Sequence, residues 1–141
     1  MSLTGLSQFD TTIHATNTWL KELEVRLGWE DRHRAYQALR AVLHALRDHL
    51  TVDEVATLGA QLPLLVRGIY YEGWHPADKP LRERKKEQFL AHIASALPKG
   101  LGIDVEEVAR AVFDVLAEHV TGGEMRGIQH VLPVELRSLL P

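Results

Sequence analysis

The run Arg40-Ala41-Val42-Leu43-His44-Ala45-Leu46-Arg47-Asp48-His49-Leu50-Thr51 returns, 70 residues further along, as Arg110-Ala111-Val112-Phe113-Asp114-Val115-Leu116-Ala117-Glu118-His119-Val120-Thr121. Seven of the twelve aligned pairs are identical or exchange Asp for Glu. The same offset carries Trp19-Leu20 onto Phe89-Leu90, Leu23 onto Ile93, Leu27 onto Leu97, Glu54 onto Glu124, Leu62-Pro63 onto Leu132-Pro133 and Arg67 onto Arg137, with no gap. Self-similarity at one fixed period is the mark of a duplicated structural unit.

Within each copy the apolar residues fall three and four apart, the spacing that collects side chains on one face of a helix; a strand would alternate by two. Phe9, Ile13, Leu20, Leu23 and Leu27 make the stripe of a first helix, with Asp10 as its expected N-cap and Gly28 as its stop. Tyr36, Leu39, Val42, Leu43, Leu46 and Leu50 make a second, matched by Val105, Val108, Val112, Leu116 and Val120 after the cap residue Asp104. Thr51 with Glu54, and Thr121 with Glu124, have the Thr-x-x-Glu spacing of a capping box and open a third helix in each copy. Val55, Leu58 and Leu62, or Met125, Ile128 and Leu132, line it, and Pro63 or Pro133 is expected as the first residue of a short fourth.

The fold expected is therefore all-α: two pseudo-symmetric repeats of three to four helices packed as one domain over 1–141, with repeats at about 9–71 and 80–141 and a crossover at 72–80. One-sided amphipathic helices in halves this small need a partner, so the halves are expected to bury against each other.

Composition narrows the function classes. Hydrophobic residues make up 45% and charged residues 25%, which fits an ordinary globular chain. No apolar run approaches the roughly 20 residues of a membrane span. Met1 to Asp10 lacks the basic and apolar stretches of a secretory signal, so a cytoplasmic location is expected. Cysteine is absent, which excludes disulfides, thiolate nucleophiles and sulfur-held zinc or iron–sulfur clusters. The net charge of −3 disfavours nucleic acid as a partner.

The second copy ends at Pro141, aligned with Tyr71, which leaves Glu72-Gly73-Trp74-His75-Pro76-Ala77-Asp78-Lys79-Pro80 unmatched. Glycine and two prolines make this irregular chain, and from Leu81 a helix is expected to resume through Arg82-Glu83-Arg84-Lys85-Lys86. Tyr70, Tyr71, Trp74 and His75 concentrate here. They form either a partner or ligand surface, since aromatic and basic side chains anchor interfaces, or a plug in the seam between the halves.

Eight histidines prompt a search for metal and acid–base chemistry. Glu30 with His33 and Glu72 with His75 have the Glu-x-x-His spacing of carboxylate-bridged di-iron bundles, but the further inward glutamates such a site needs cannot be identified, so no metal site and no cofactor are assigned. His49 and His119 close the second helix of each copy, where an imidazolium complements the helix dipole and can bond to the last carbonyls. His14, among Thr11, Thr12, Thr16 and Asn17, is a candidate for a pocket wall or a solvated helix face. Serines lack a nucleophile-elbow context and the glycines form no phosphate loop, so no catalytic residue is assigned.

Arg-Ala-Val-x-x-x-Leu followed by Thr-x-x-Glu, then Gln-Leu-Pro in the first copy and Val-Leu-Pro-x-x-Leu-Arg-x-Leu-Leu in the second, resembles the bacterial domain-of-unknown-function 2267 family. The likeness runs from Phe9 to Leu140, and Gln61 through Trp74 looks like that family's most recognisable block. The resemblance implies a small duplicated helical protein of the bacterial cytoplasm and brings no catalytic residue or ligand.

The leading functional expectation is a non-enzymatic helical interaction module, self-associating or bound to a protein partner. The alternative is a small-molecule or metal-binding protein, in one version an enzyme, with a pocket between the repeats lined by His14 or His75. A third is contact of Arg82, Arg84, Lys85 and Lys86 with nucleic acid or an anionic surface.

Overall fold

A computed structural model describes residues 2–100 and 102–141. Among them the chain forms eight helices and no strand: α1 (Ser7–Leu27), α2 (Arg32–Asp48), α3 (Val52–Gly59), α4 (Leu64–Tyr71), α5 (Lys86–Ser95), α6 (Val105–His119), α7 (Gly122–Val131) and α8 (Val134–Arg137). No described helix is long and apolar enough to cross a membrane.

The helix ends follow the cap chemistry of the sequence. Asp31 and Asp104 accept from the amides of Arg34 and Glu107, and Thr51 and Thr121 accept from those of Glu54 and Glu124. Gly28 ends α1 at φ 68°, a left-handed conformation suited to glycine, and donates its amide back into the last turn. Pro63 and Pro133 stand at the N-caps of α4 and α8, one residue before the position expected of them.

α2 lies at the centre, packed by α1, α4, α5 and α6. Its buried surface goes beyond a single stripe. Leu39, Val42, Leu43 and Leu46 fill the spaces between neighbours, while Ala35, Ala38, Ala41 and Ala45 let helices approach closely. α6 contributes Val108, Val112, Phe113 and Leu116, with Phe113 stacked on Phe89 of α5 at 6.2 Å between ring centroids. Trp19 of α1 is buried against α6, its indole under the His119 ring at 4.7 Å. α3 packs on α4 and α7.

The expected elements need two corrections. α1 begins three residues before Asp10, with Leu6 at its N-cap; Asp10 sits in the first turn and accepts from the Thr4 amide and hydroxyl. The helix expected from Leu81 is absent until Lys86: 81–85 runs as an extended strap. Local helix propensity in Arg-Glu-Arg-Lys-Lys is overridden by tertiary bonds, because the Leu81 amide donates to the Asp48 carbonyl, Glu83 meets His49, and the Lys86 amide donates to Glu135.

Candidate functional site

The crossover is pinned by arginines of α2 on one side and histidines on the other. Arg47, 4% exposed, donates through one guanidinium nitrogen to the carbonyls of Tyr70 (2.6 Å) and Glu72 (2.7 Å), and through Nε to Asp48 (3.2 Å). Two helical turns before Arg47 along α2, Arg40 forks onto the Glu72 carboxylate and holds it below the usual carboxylate range. His44 lies between them, its Nε2 2.7 Å from the Ile69 carbonyl. Burial draws its proton affinity below that of a free imidazole, and the carbonyl bond opposes the effect only in part.

At the far end His49, 3% exposed, has Nδ1 at 2.6 Å from the Ala45 carbonyl and Nε2 at 3.1 Å from Glu83 on the strap. Beside it His92 faces Asp48 at 3.5 Å and Glu83 at 4.0 Å. The bond to Asp48 raises the proton affinity of His92 against the opposing effect of burial. Burial alone would raise Asp48, but its bonds to His92 and Arg47 prevail and hold it below the ordinary carboxyl range. Among the described residues no three His, Asp or Glu side chains are grouped so as to hold a metal ion.

The residues singled out from sequence separate. Tyr70 is fully buried and donates its hydroxyl to the Val55 carbonyl at 2.8 Å, so it offers no surface. Tyr71 is half-buried, its ring 4.9 Å from that of Tyr70 and 5.9 Å from that of Trp74. Trp74 is also half-buried, and its indole N–H is sealed from solvent without an acceptor among the described residues. His75 and His14 are exposed. A hollow of about 420 Å³ between α1, α2 and α4 is lined by Ile13, Thr16, Asn17, Leu20, Tyr36, Leu65, Gly68, Ile69 and Glu72, and His14 is outside that wall. Arg82, Arg84 and Lys85 are exposed on the strap, whereas Lys86 pairs with Glu106 at 2.8 Å. His49 takes the helix-end carbonyl expected of it. His119 turns instead to Trp19 and to Glu22, 2.8 Å away.

Two features escaped sequence reasoning. One is an apolar shoulder where the start of α1 meets the start of α4: Leu6 (44% exposed), Phe9 (50%), Leu64 (56%) and Leu65 (41%). Thr12 fastens the two helices there, its hydroxyl accepting from the Leu65 amide at 2.8 Å. Phe9 and Ile13 are expected in the core stripe, but the buried side chains of α1 begin only at Thr16 and Trp19, and the four-residue spacing of Phe9 and Ile13 carries no signal of this. The other is a pair of carboxyl groups, buried Glu124 and half-buried Glu54, hidden by their reading as capping residues.

These features define an all-helical protein whose long crossover is clamped on both sides and whose one-sided apolar shoulder is left open. The chain belongs to the family described as uncharacterized conserved protein (DUF2267), whose model matches residues 16–139. Comparison with curated proteins gives no match.

Proposed function

We propose that this chain is a non-enzymatic helical interaction module that self-associates through the shoulder between α1 and α4. The observation carrying this reading is the exposure of Phe9 beside a hollow of about 420 Å³ lined by Ser7, Gln8, Thr11, Thr12, Ala15, Pro63 and Leu64. A projecting ring and a recess of small and polar side chains on one face are self-complementary. That is the requirement of a two-fold contact between identical surfaces, in which each copy fills the other's recess. Exposed phenylalanine and leucine together, unlike scattered apolar residues, supply the desolvated centre such a contact needs. Tyr71, the last residue of α4, and Trp74 and His75 just past it lie at the other end of that helix from the proposed contact.

The duplication read from the sequence belongs to this proposal. Supporting it, α2, α3 and α4 recur in order as α6, α7 and α8, and Thr51 and Thr121 cap α3 and α7 in the same way. A bacterial, cytoplasmic setting is part of the same reading.

Sedimentation velocity over a concentration series tests it. Wild type is expected to shift from monomer to dimer, and Phe9→Glu to remain monomeric with an unchanged melting temperature. A wild type that stays monomeric throughout overturns the proposal. The alternative of a small-molecule pocket has the hollow holding Thr16, Asn17 and Glu72 in its favour. Native mass spectrometry of gently purified protein separates the readings, since only the pocket reading expects a retained small molecule.

A further inference from the structure

Glu54 and Glu124 hold the third position of α3 and of α7. In a capping box each carboxylate would return to the amide of its own threonine. The Thr121 amide is instead taken by the side-chain oxygen of Gln61 at 2.9 Å, and the two carboxyls turn towards each other between the helices. The Glu54 carboxyl lies on α7 at Gly127, where an added Cβ would stand 3.4 Å from its Oε1. Gly127 is one turn beyond Glu124 on the same helix face, so Gly127 leaves the room that Glu54 occupies. Glu124 is 6% exposed, and each carboxyl has an oxygen sealed from solvent without a hydrogen-bond donor among the described residues.

The groups around the pair do not neutralise it. From α4, Tyr70 turns its hydroxyl to the Val55 carbonyl and Tyr71 lies 3.4 Å from the same oxygen. From α2, the Arg47 guanidinium is bonded to the carbonyls of Tyr70 and Glu72. On α7 the Arg126 guanidinium lies alongside Gly122 and Gly123, His130 is exposed, and on α3 so is Asp53. An ionised carboxylate only accepts hydrogen bonds, so two of them facing each other in a buried site satisfy one another only when one carries a proton.

We propose that Glu54 and Glu124 share one proton and that this proton clasps α3 to α7, so that the contact loosens as pH rises through the neutral range. Burial first, then the hydrogen bond and charge of Glu54, push Glu124 from the ordinary 4.5 up to about 8. A value raised in the closed state means that the closed contact binds the proton more tightly than the open one. Its stability is whole below 4.5, is lost progressively as pH climbs, and changes no further above about 8.

Hydrogen exchange on the full chain, corrected for the intrinsic rate, reads this directly. Opening of the α3 and α7 amides, relative to those of α2, should increase by up to about tenfold per pH unit from about pH 5 and level off near pH 8. Glu54→Gln supplies an amide donor to the remaining carboxylate and should flatten most of the rise, and the Glu54→Gln/Glu124→Gln double variant should abolish it. A flat wild-type profile overturns the proposal even if the variants do not fold. So does a rise that persists in the double variant. Suppression of the wild-type rise by millimolar calcium would assign the pair to a cation and would equally overturn it.

Discussion

Nε2 of His49 lies 3.1 Å from a carboxylate oxygen of Glu83, and the contact fastens the extended strap to the end of α2. Since Nδ1 of the same ring faces the Ala45 carbonyl at 2.6 Å, an imidazole serves both acceptors only when both nitrogens carry protons. Glu83 is flanked by Arg82 and Arg84, both exposed, so a loosened strap is a ready trypsin substrate. Glu83 is part-exposed and its bond is weakened by solvent, so Glu83→Ala should raise the rate of cleavage after Arg82 and Arg84 on the order of fivefold. Limited trypsinolysis followed by mass spectrometry checks this, and an unchanged rate would assign the anchoring to Leu81 and Lys86 alone.

The neighbouring pair, His92 and Asp48, should leave a pH signature of definite sign. The bond to Asp48 raises His92 above its ordinary 6.5 in the folded state. Its contribution is therefore complete below 6.5 and disappears as pH rises through the raised value. Denaturant unfolding of wild type and His92→Gln should differ by a few tenths of a kcal/mol more at mildly acidic than at mildly alkaline pH, the effect being small because the pair is partly solvated. An identical difference at both pH values would contradict the assignment.

The stripes of α2 and α6, the caps at Asp31, Asp104, Thr51 and Thr121, and the stop at Gly28 are local chemistry, and all but the Asp31 cap are legible in the sequence. The strap is not. Its residues favour a helix, and only bonds from residues distant in sequence, Asp48, His49 and Glu135, draw it out. The burial of Tyr70 could have been read by continuing the spacing of Leu62 and Val66 by four, but its place beside an unusual crossover suggested a surface. The meeting of Glu54 and Glu124 was out of reach, because the threonine caps account for the Thr-x-x-Glu spacing without revealing that the carboxyls go elsewhere.

The two threonine caps are expected to be unequal. Thr51 accepts one amide, whereas Thr121 accepts the Glu124 amide and also the Gln61 side-chain amide at 3.3 Å, joining the end of α3 to the start of α7. Loss of an N-cap threonine costs about 1 kcal/mol. Thr51→Ala should cost about that much, and Thr121→Ala about 0.5–1.5 kcal/mol more for the additional bond. Chemical denaturation compares them, and Gln61→Ala in the Thr121→Ala background should still cost about 0.5–1.5 kcal/mol, since the Gln61 side-chain oxygen keeps its bond from the backbone amide of residue 121.

Arg47 is the side chain on which the crossover depends most. In the 70-residue offset it aligns with Ala117, so the arginine is not accounted for by the sequence match between the two stretches. One of its nitrogens donates to the Tyr70 and Glu72 carbonyls, which lie at and just past the end of α4 and have no further helical turn to donate to them, while its charge is balanced by half-buried Asp48. Arg47→Met keeps most of the packing but strands two carbonyls and leaves Asp48 with His92 alone, and removing one member of such a buried arrangement costs about 3–5 kcal/mol. Arg47→Lys should recover less than half of that, because one ammonium cannot serve the two carbonyls and also replace the separate Nε bond to Asp48. Urea unfolding gives the totals, and hydrogen exchange should locate the damage in α4 and the crossover while α6 keeps its protection. A loss spread evenly over the chain would mean that Arg47 supports the core at large and holds no particular segment.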